Sequence, residues 1–323
     1  MRYRNYKSYS TYNKVLLPNI ISETIVDYFT HLNITHPYNI NTLIYDKHCK
    51  VYIPKTNILE LKNYLYSQNN DLISNFKNLE FIETSEPFFS DYLSYGNYYG
   101  YAISNNYGSI PKGKSISNTI LNKLDEKHSS ILQVTYDTKN DNLTRLTLFT
   151  TDKTVDSNFV FTLSEYITED TNIKVVYTNH NTNGEFYTNN SNLHITHEIP
   201  SHNPLFVGAD PLSPSKVIPL YLRHIAKSMV NSSLLDECLI TANYTNNSLI
   251  PVTLNIDSFG TEKYPMKYIY TCLMDVFPLS LKDIKKEIDF FKPIYRQSSE
   301  CDYVNNINLP WESTNKSKDL IIF

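Results

Sequence analysis

Across 323 residues, 29 Lys and Arg stand against 33 Asp and Glu, and about two-fifths of the side chains are hydrophobic. A chain of this length buries one large core or two modest ones, and its near-neutral balance gives no reason to expect nucleic acid or an anionic membrane as partner. Its seven glycines form no GxGxxG, which argues against the dinucleotide-binding glycine-loop fold.

Tyr, Asn, Ile and Lys are abundant and Ala, Gly and Arg scarce, a bias that an AT-rich genome produces unaided, so the tyrosines are not counted as a binding surface. Cys49, Cys238, Cys272 and Cys301 form no CxxC pair and read as reduced, buried thiols. Residues 1–7 lead into no apolar signal core, and no run approaches the ~20 apolar residues of a membrane span. Together these lead to the expectation of a cytoplasmic protein without a membrane span, a bound nucleotide, zinc or iron.

In chain order, residues 1–18 form a polar, Tyr-rich N-terminal segment. Residues 19–32 read as a helix with Ile21, Ile25, Phe29 and Leu32 near one face. A hairpin follows over 42–45 and 50–53; Pro54 ends it, and Thr56 caps a helix carrying Ile58, Leu61 and Leu65. Short strands are expected over 79–82 and 98–103, and a helix over 115–124. Residues 131–136 and 143–149 alternate in character around a polar turn, and 157–167 read as a short helix. Leu132, Val134, Tyr136, Leu146 and Leu148 would then face that helix, while Gln133, Thr135, Arg145, Thr147 and Phe149 point the other way.

Further on, 173–177 is a strand, 184–188 and 193–199 pair behind it, and 215–230 is a helix that keeps Pro219 in its first turn. A hairpin over 237–244 and 249–256, a strand over 267–273 and a Ser280-capped helix complete a domain spanning 19–292. The tail over 293–323 holds the single tryptophan, Trp311, and lacks periodicity. Hairpins alternating with helices, starting near residues 42, 99, 131, 173 and 238, predict one α+β domain. Its sheet is an antiparallel barrel, or strongly curved, with helices on the outer face.

The candidate site lies on the inner faces of those strands. Lys50 and Tyr52 share one face, Arg145 opposes Leu146, Lys174 opposes Ile173 and Val175, and Lys267 lies two residues from Ile269. Basic side chains converging from several strands would hold a polyanion such as a diphosphate without a glycine loop. Arg145 stands out because the chain has only five arginines.

The hairpin–helix rhythm, Lys50-Val-Tyr-Ile-Pro54, the 132–167 unit and Lys267-Tyr-Ile-Tyr270 resemble the ABBA aromatic prenyltransferases, over roughly residues 40–292. The resemblance implies transfer of a prenyl group from an allylic diphosphate to an aromatic acceptor, a small molecule or a peptide side chain. Lys50, Arg145, Lys174 and Lys267 would then hold the diphosphate, and Tyr52, Tyr101 and Tyr270 would shield the allylic cation. With no DDxxD cluster, any Mg²⁺ would travel on the diphosphate, and no catalytic base is identified. Lys174-Val-Val-Tyr177 departs from the Lys-x-Tyr spacing.

Two alternatives stand beside it. His180-Asn-Thr182 and His194-Ile-Thr196 resemble the paired motifs of two-histidine phosphoesterases, though here only fourteen residues apart. His194, His197, Glu198 and His202 also invite a metal reading, but strand parity separates them and Pro200 blocks a shared helix. The third reading is a non-catalytic binding protein from an AT-rich viral or mobile-element genome.

Overall fold

The computed structural model describes residues 6–12, 17–45, 48–74, 76–84, 96–105, 109–124, 130–137, 142–163, 165–178, 186–188, 207–245, 248–300, 303–304 and 306–320. Its elements begin with β1 (Tyr6–Tyr12), α1 (Leu17–His31), β2 (Asn41–Tyr45), β3 (His48–Pro54), α2 (Ile58–Ile73), β4 (Asn78–Thr84) and β5 (Gly96–Ile103). Then come α3 (Lys112–Leu121), β6 (Ser130–Asp137), β7 (Asn142–Thr150), α4 (Ser157–Thr162), β8 (Asn172–Tyr177) and β9 (Phe186–Thr188). The remainder is α5 (Pro214–Asn231), β10 (Glu237–Tyr244), β11 (Thr253–Asp257), α6 (Met266–Val276), α7 (Leu281–Glu287) and α8 (Tyr295–Glu300). Two compact units result: one joins Met1–Val15 to Ile110–Asn183, and the other joins Leu16–Ser109 to Gly184–Phe323.

The first unit is one sheet in the order β1-β6-β7-β8. Period-two alternation places Leu132 opposite Leu148 and Val134 opposite Leu146, and all four are fully buried. Ile116 and Ile120 of α3 and Val160 of α4 join them in one core. Asp156 starts α4 by accepting the Phe159 N–H at 2.7 Å, which satisfies a donor that the first turn leaves free. The short helix returns the chain beside β7, so β8 runs parallel to it rather than antiparallel.

The second unit holds two sheets, ordered β4-β3-β2-β9 and β11-β10-β5. Its centre is α5, whose residues 217–226 are buried on every side. The helix lies so close over β5 that a Cβ on Gly100 would sit 2.1 Å from the Leu222 carbonyl carbon. Only glycine allows two backbones to approach like this. Pro219 lies beyond the first turn expected for it, because the helix already starts at Pro214.

The architecture repeats. A helix, a hairpin and a second helix occur as α1-β2-β3-α2, α3-β6-β7-α4 and α5-β10-β11-α6. The first hairpin strand pairs antiparallel with a strand from elsewhere in the chain: β9, β1 and β5 respectively. In the first two modules the second helix leads to a strand parallel to the hairpin's second strand.

The expected barrel is therefore corrected: the described strands form three separate sheets and none closes. In the first two modules the second helix sends the chain back to its own sheet instead of onward around a cylinder. The predicted strand over 267–273 is also corrected, since those residues are helical in α6. Ile269, Cys272 and Leu273 recur at helical spacing on its buried side, and Pro265 supplies the N-cap.

Candidate functional site

Three cross-strand rows define the outer face of the first unit's sheet. Register sets Thr135, Arg145 and Asn172 in one row, Gln133, Thr147 and Lys174 in the next, and Ile131, Phe149 and Val176 in the third. Seven of these side chains (those of Thr135 and Ile131 excepted) line a concavity of about 490 Å³. Arg145, Lys174, Gln133 and Asn172 are exposed, and Phe149 and Val176 are half-buried. Such a surface can bind an anion at one end and an apolar group at the other.

The other five residues singled out in the sequence lie elsewhere. Lys50 is 3.7 Å from Glu80 and 5.9 Å from the centre of the Tyr45 ring, so its charge is answered locally. Tyr52 is half-buried on the same strand, opposite Ile82. Tyr101 is fully buried, and its hydroxyl donates to Glu237 Oε1 at 2.8 Å. Lys267 and Tyr270 ride on α6, where the Tyr270 hydroxyl accepts the Ile256 N–H at 2.9 Å and covers the edge of β11. Of the seven, only Arg145 and Lys174 line the described concavity. His180, His194, His197, Glu198 and His202 lie outside the described residues.

The second unit contains charges that the sequence reading passed over. Glu23 of α1 accepts from Lys216 Nζ at 2.9 and 3.0 Å, from the Gly208 N–H at 3.0 Å and from the Tyr303 hydroxyl at 2.5 Å. The Lys216 ammonium also lies 4.2 Å from the centre of the Tyr295 ring. Both side chains of the Glu23–Lys216 pair have no solvent exposure. One turn along, Asp27 accepts the N–H groups of Tyr295 and Arg296 at 2.9 and 3.0 Å. Further down α5, Arg223 Nε and Nη2 donate to Glu312 at 2.8 and 3.1 Å, and Lys227 adds a third bond at 2.7 Å. Arg223 Nη1 also donates to the carbonyls of Tyr101 and Ser109. A signal was present, because Lys216 and Arg223 sit two turns apart at either end of the uncharged run 217–222. Nothing nearby in the chain names their partners.

Burial pushes the Asp27 carboxyl up to about 7, reinforced by the charge of Glu23 and opposed by the two backbone donors and by Lys216. Tyr64 of α2 also faces it. The folded state therefore holds this proton over a range where the unfolded chain has released it. The contribution is complete below the ordinary value of 3.8 and is lost as pH rises through about 7. The expected result is a loss of stability across that window, on the order of 4 kcal/mol at most. In Asp27→Asn this slope should vanish, as measured by urea unfolding at a series of pH values; a slope that persists unchanged would assign it to another group.

These modules and sheets define an α+β fold shared with a known class of enzyme. The solved structure of an unusual S-adenosylmethionine synthetase from Campylobacter jejuni superposes with a TM-score of 0.78, covering 98% of this chain and 99% of that one at 13% identity. That likeness is one of fold. In sequence, the family model for the S-adenosylmethionine synthetase C-terminal domain matches residues 204–313. The S-adenosylmethionine synthase of Aquifex aeolicus is 35% identical over 115 residues, which are 36% of this chain and 31% of that protein. That of Corynebacterium urealyticum is 32% identical over 117 residues, 36% of this chain and 29% of that protein. The matched stretch thus spans about a third of the length of these curated relatives.

These matches overturn the resemblance to aromatic prenyltransferases, and with it the ABBA barrel, prenyl transfer, the allylic diphosphate and the aromatic acceptor. The short motifs behind it were strand-parity patterns that many sheet proteins share, and one of them belongs to a helix. No helix among the described residues is long and apolar enough to cross a membrane.

Proposed function

We propose that the protein is an adenosyltransferase of the S-adenosylmethionine synthetase type, acting on ATP and methionine. The observation that carries this reading is the family match over residues 204–313, which spans α5, β10, β11, α6, α7 and α8. The fold likeness over nearly the whole chain supports it. In the reaction the methionine sulfur attacks C5′ of ATP, a C–S bond forms, the C5′–O bond breaks, and triphosphate leaves with its electron pair. The protein must hold the polyanionic leaving group and keep water from the reacting carbon.

Within the matched segment, Lys216, Arg223 and Lys227 are already bound by Glu23 and Glu312, so their described role is to hold α5 in place. A divalent cation such as Mg²⁺ would arrive on the triphosphate of ATP. Among the described residues no three of His, Cys, Asp and Glu are placed to hold a metal ion, so no step is assigned to a resident one.

The test is incubation of the purified protein with ATP, methionine and Mg²⁺, with mass-spectrometric detection of S-adenosylmethionine. Product that depends on both substrates and on protein concentration supports the reading. Product no greater than in a protein-free control overturns it.

A further inference from the structure

We propose that His224 is the trigger of an acid-sensitive clasp, which holds residues 310–318 on α5 at neutral pH and loosens them as pH falls. This goes beyond the adenosyltransferase reading and does not need it, because it rests on packing inside the second unit.

The segment forms two short 3-10 turns, Pro310–Glu312 and Asn315–Lys318. Glu312 ties it to Arg223 and Lys227, and Lys316 ties it to Glu287 of α7 at 2.6 Å. His224, next to Arg223 on α5, is only 2% exposed. Its ring meets Phe277 edge-on at 5.8 Å and Tyr221 at 6.1 Å. The backbone carbonyls of Trp311 and Ser313 offer it hydrogen bonds, so the ring touches the segment directly. Its Nδ1 is sealed in without a hydrogen-bond partner among the described residues, and so is the Tyr221 hydroxyl.

A neutral imidazole tolerates this site at the cost of one unfilled acceptor. Protonation turns Nδ1 into a donor with nothing to receive it and sets a charge against two rings. Burial accordingly lowers the His224 pKa from its ordinary 6.5; Glu287 and the carbonyls of Trp311 and Ser313 oppose this, and Lys316 adds to it. The charged and titratable groups on the elements around α5 are already engaged. Glu287 and Lys316 hold each other, Glu312 holds both cations of α5, Glu237 of β10 holds Tyr101 of β5, and the Tyr244 hydroxyl of β10 is on the Leu279 carbonyl. A ring freed by opening takes its proton at the ordinary value, whereas the sealed ring resists it. The closed form's advantage is therefore complete above pH 6.5 and is lost as pH falls below it. Glu312 weakens only below 4.5, and Asp27 acts in the opposite sense, adding stability as pH falls from about 7. The window just below pH 6.5 thus belongs to His224.

The test is amide hydrogen exchange of the full chain at pH 7.5, 6.5 and 5.5, corrected for intrinsic rates and read peptide by peptide. Protection of residues 310–318 should fall several-fold between the first and last pH, while that of β10 does not fall. In His224→Gln the fall should vanish, because the side chain no longer titrates; His224→Phe serves the same purpose should the first variant fail to fold. Protection of 310–318 that stays level in the unaltered protein, or the same fall in a folded variant, would overturn the proposal. A fall shared by β10 would also overturn it, since the whole unit would then be opening instead of one segment. S-adenosylmethionine formation is not read in this experiment, so this proposal and the adenosyltransferase reading can fail separately.

Discussion

Glu23→Ala is expected to lower the stability of the second unit by about 3–5 kcal/mol, the range for removing one partner of a sealed ion pair. The loss comes mainly from what remains. Lys216 has no solvent exposure, so its ammonium would keep a charge with no adjacent carboxylate, only the Tyr295 ring and the more distant Asp27. The Gly208 N–H and the Tyr303 hydroxyl would lose their acceptor in the same step. Replacing both partners, as Glu23→Leu with Lys216→Met, should recover much of the loss, because no buried charge is then left unpaired. Equilibrium unfolding in urea measures both. A single variant within 1 kcal/mol of the unaltered protein would mean that water reaches Lys216.

Glu312→Ala should have a comparable effect, about 3–4 kcal/mol, through two cations instead of one. Arg223 would keep its bonds to the Tyr101 and Ser109 carbonyls but lose both bonds to the carboxylate, and Lys227 would lose its partner. Burial raises the Glu312 pKa, but Arg223 first and then Lys227 outweigh it and hold the carboxyl below its usual range. Its contribution is therefore present above the ordinary value of 4.5 and is lost as pH falls through the depressed one. The neighbouring residue gives a direct readout. Trp311, the chain's single tryptophan, is fully buried between Phe290 and Tyr295, with its indole N–H donated to the Tyr303 carbonyl at 2.7 Å. In Glu312→Ala the red shift of its fluorescence should come at lower urea than in the unaltered protein. Coincident midpoints would show that the Arg223–Glu312 pair does not hold this segment.

Local pattern was readable wherever one face of an element is buried and the other is not. The alternation around Leu132, Val134, Leu146 and Leu148 located β6 and β7 because a strand shows opposite faces to core and solvent. Ser280 was readable as a cap, and its hydroxyl accepts the Asp283 N–H at 3.2 Å. Arg145 and Lys174 were readable as outward-facing for the same reason of parity. Four alternating residues from Lys267 to Tyr270 misled, since so short a run fits either period until Cys272 and Leu273 are counted with Ile269.

By itself, then, the amino-acid order determined where most strands and helices lie and which way their side chains point, since those choices depend on neighbours within a few residues. Which strands meet was decided only in the tertiary structure. β1 joins β6 and β5 joins β10 across more than a hundred residues, and the helices between hairpins decide whether the next strand runs parallel. The same holds for the buried charges. Lys216 lies 193 positions from Glu23, and Arg223 lies 89 from Glu312. Each cation is tolerated inside only because its carboxylate arrives there too, and a local pattern carries no trace of a partner so distant in the chain.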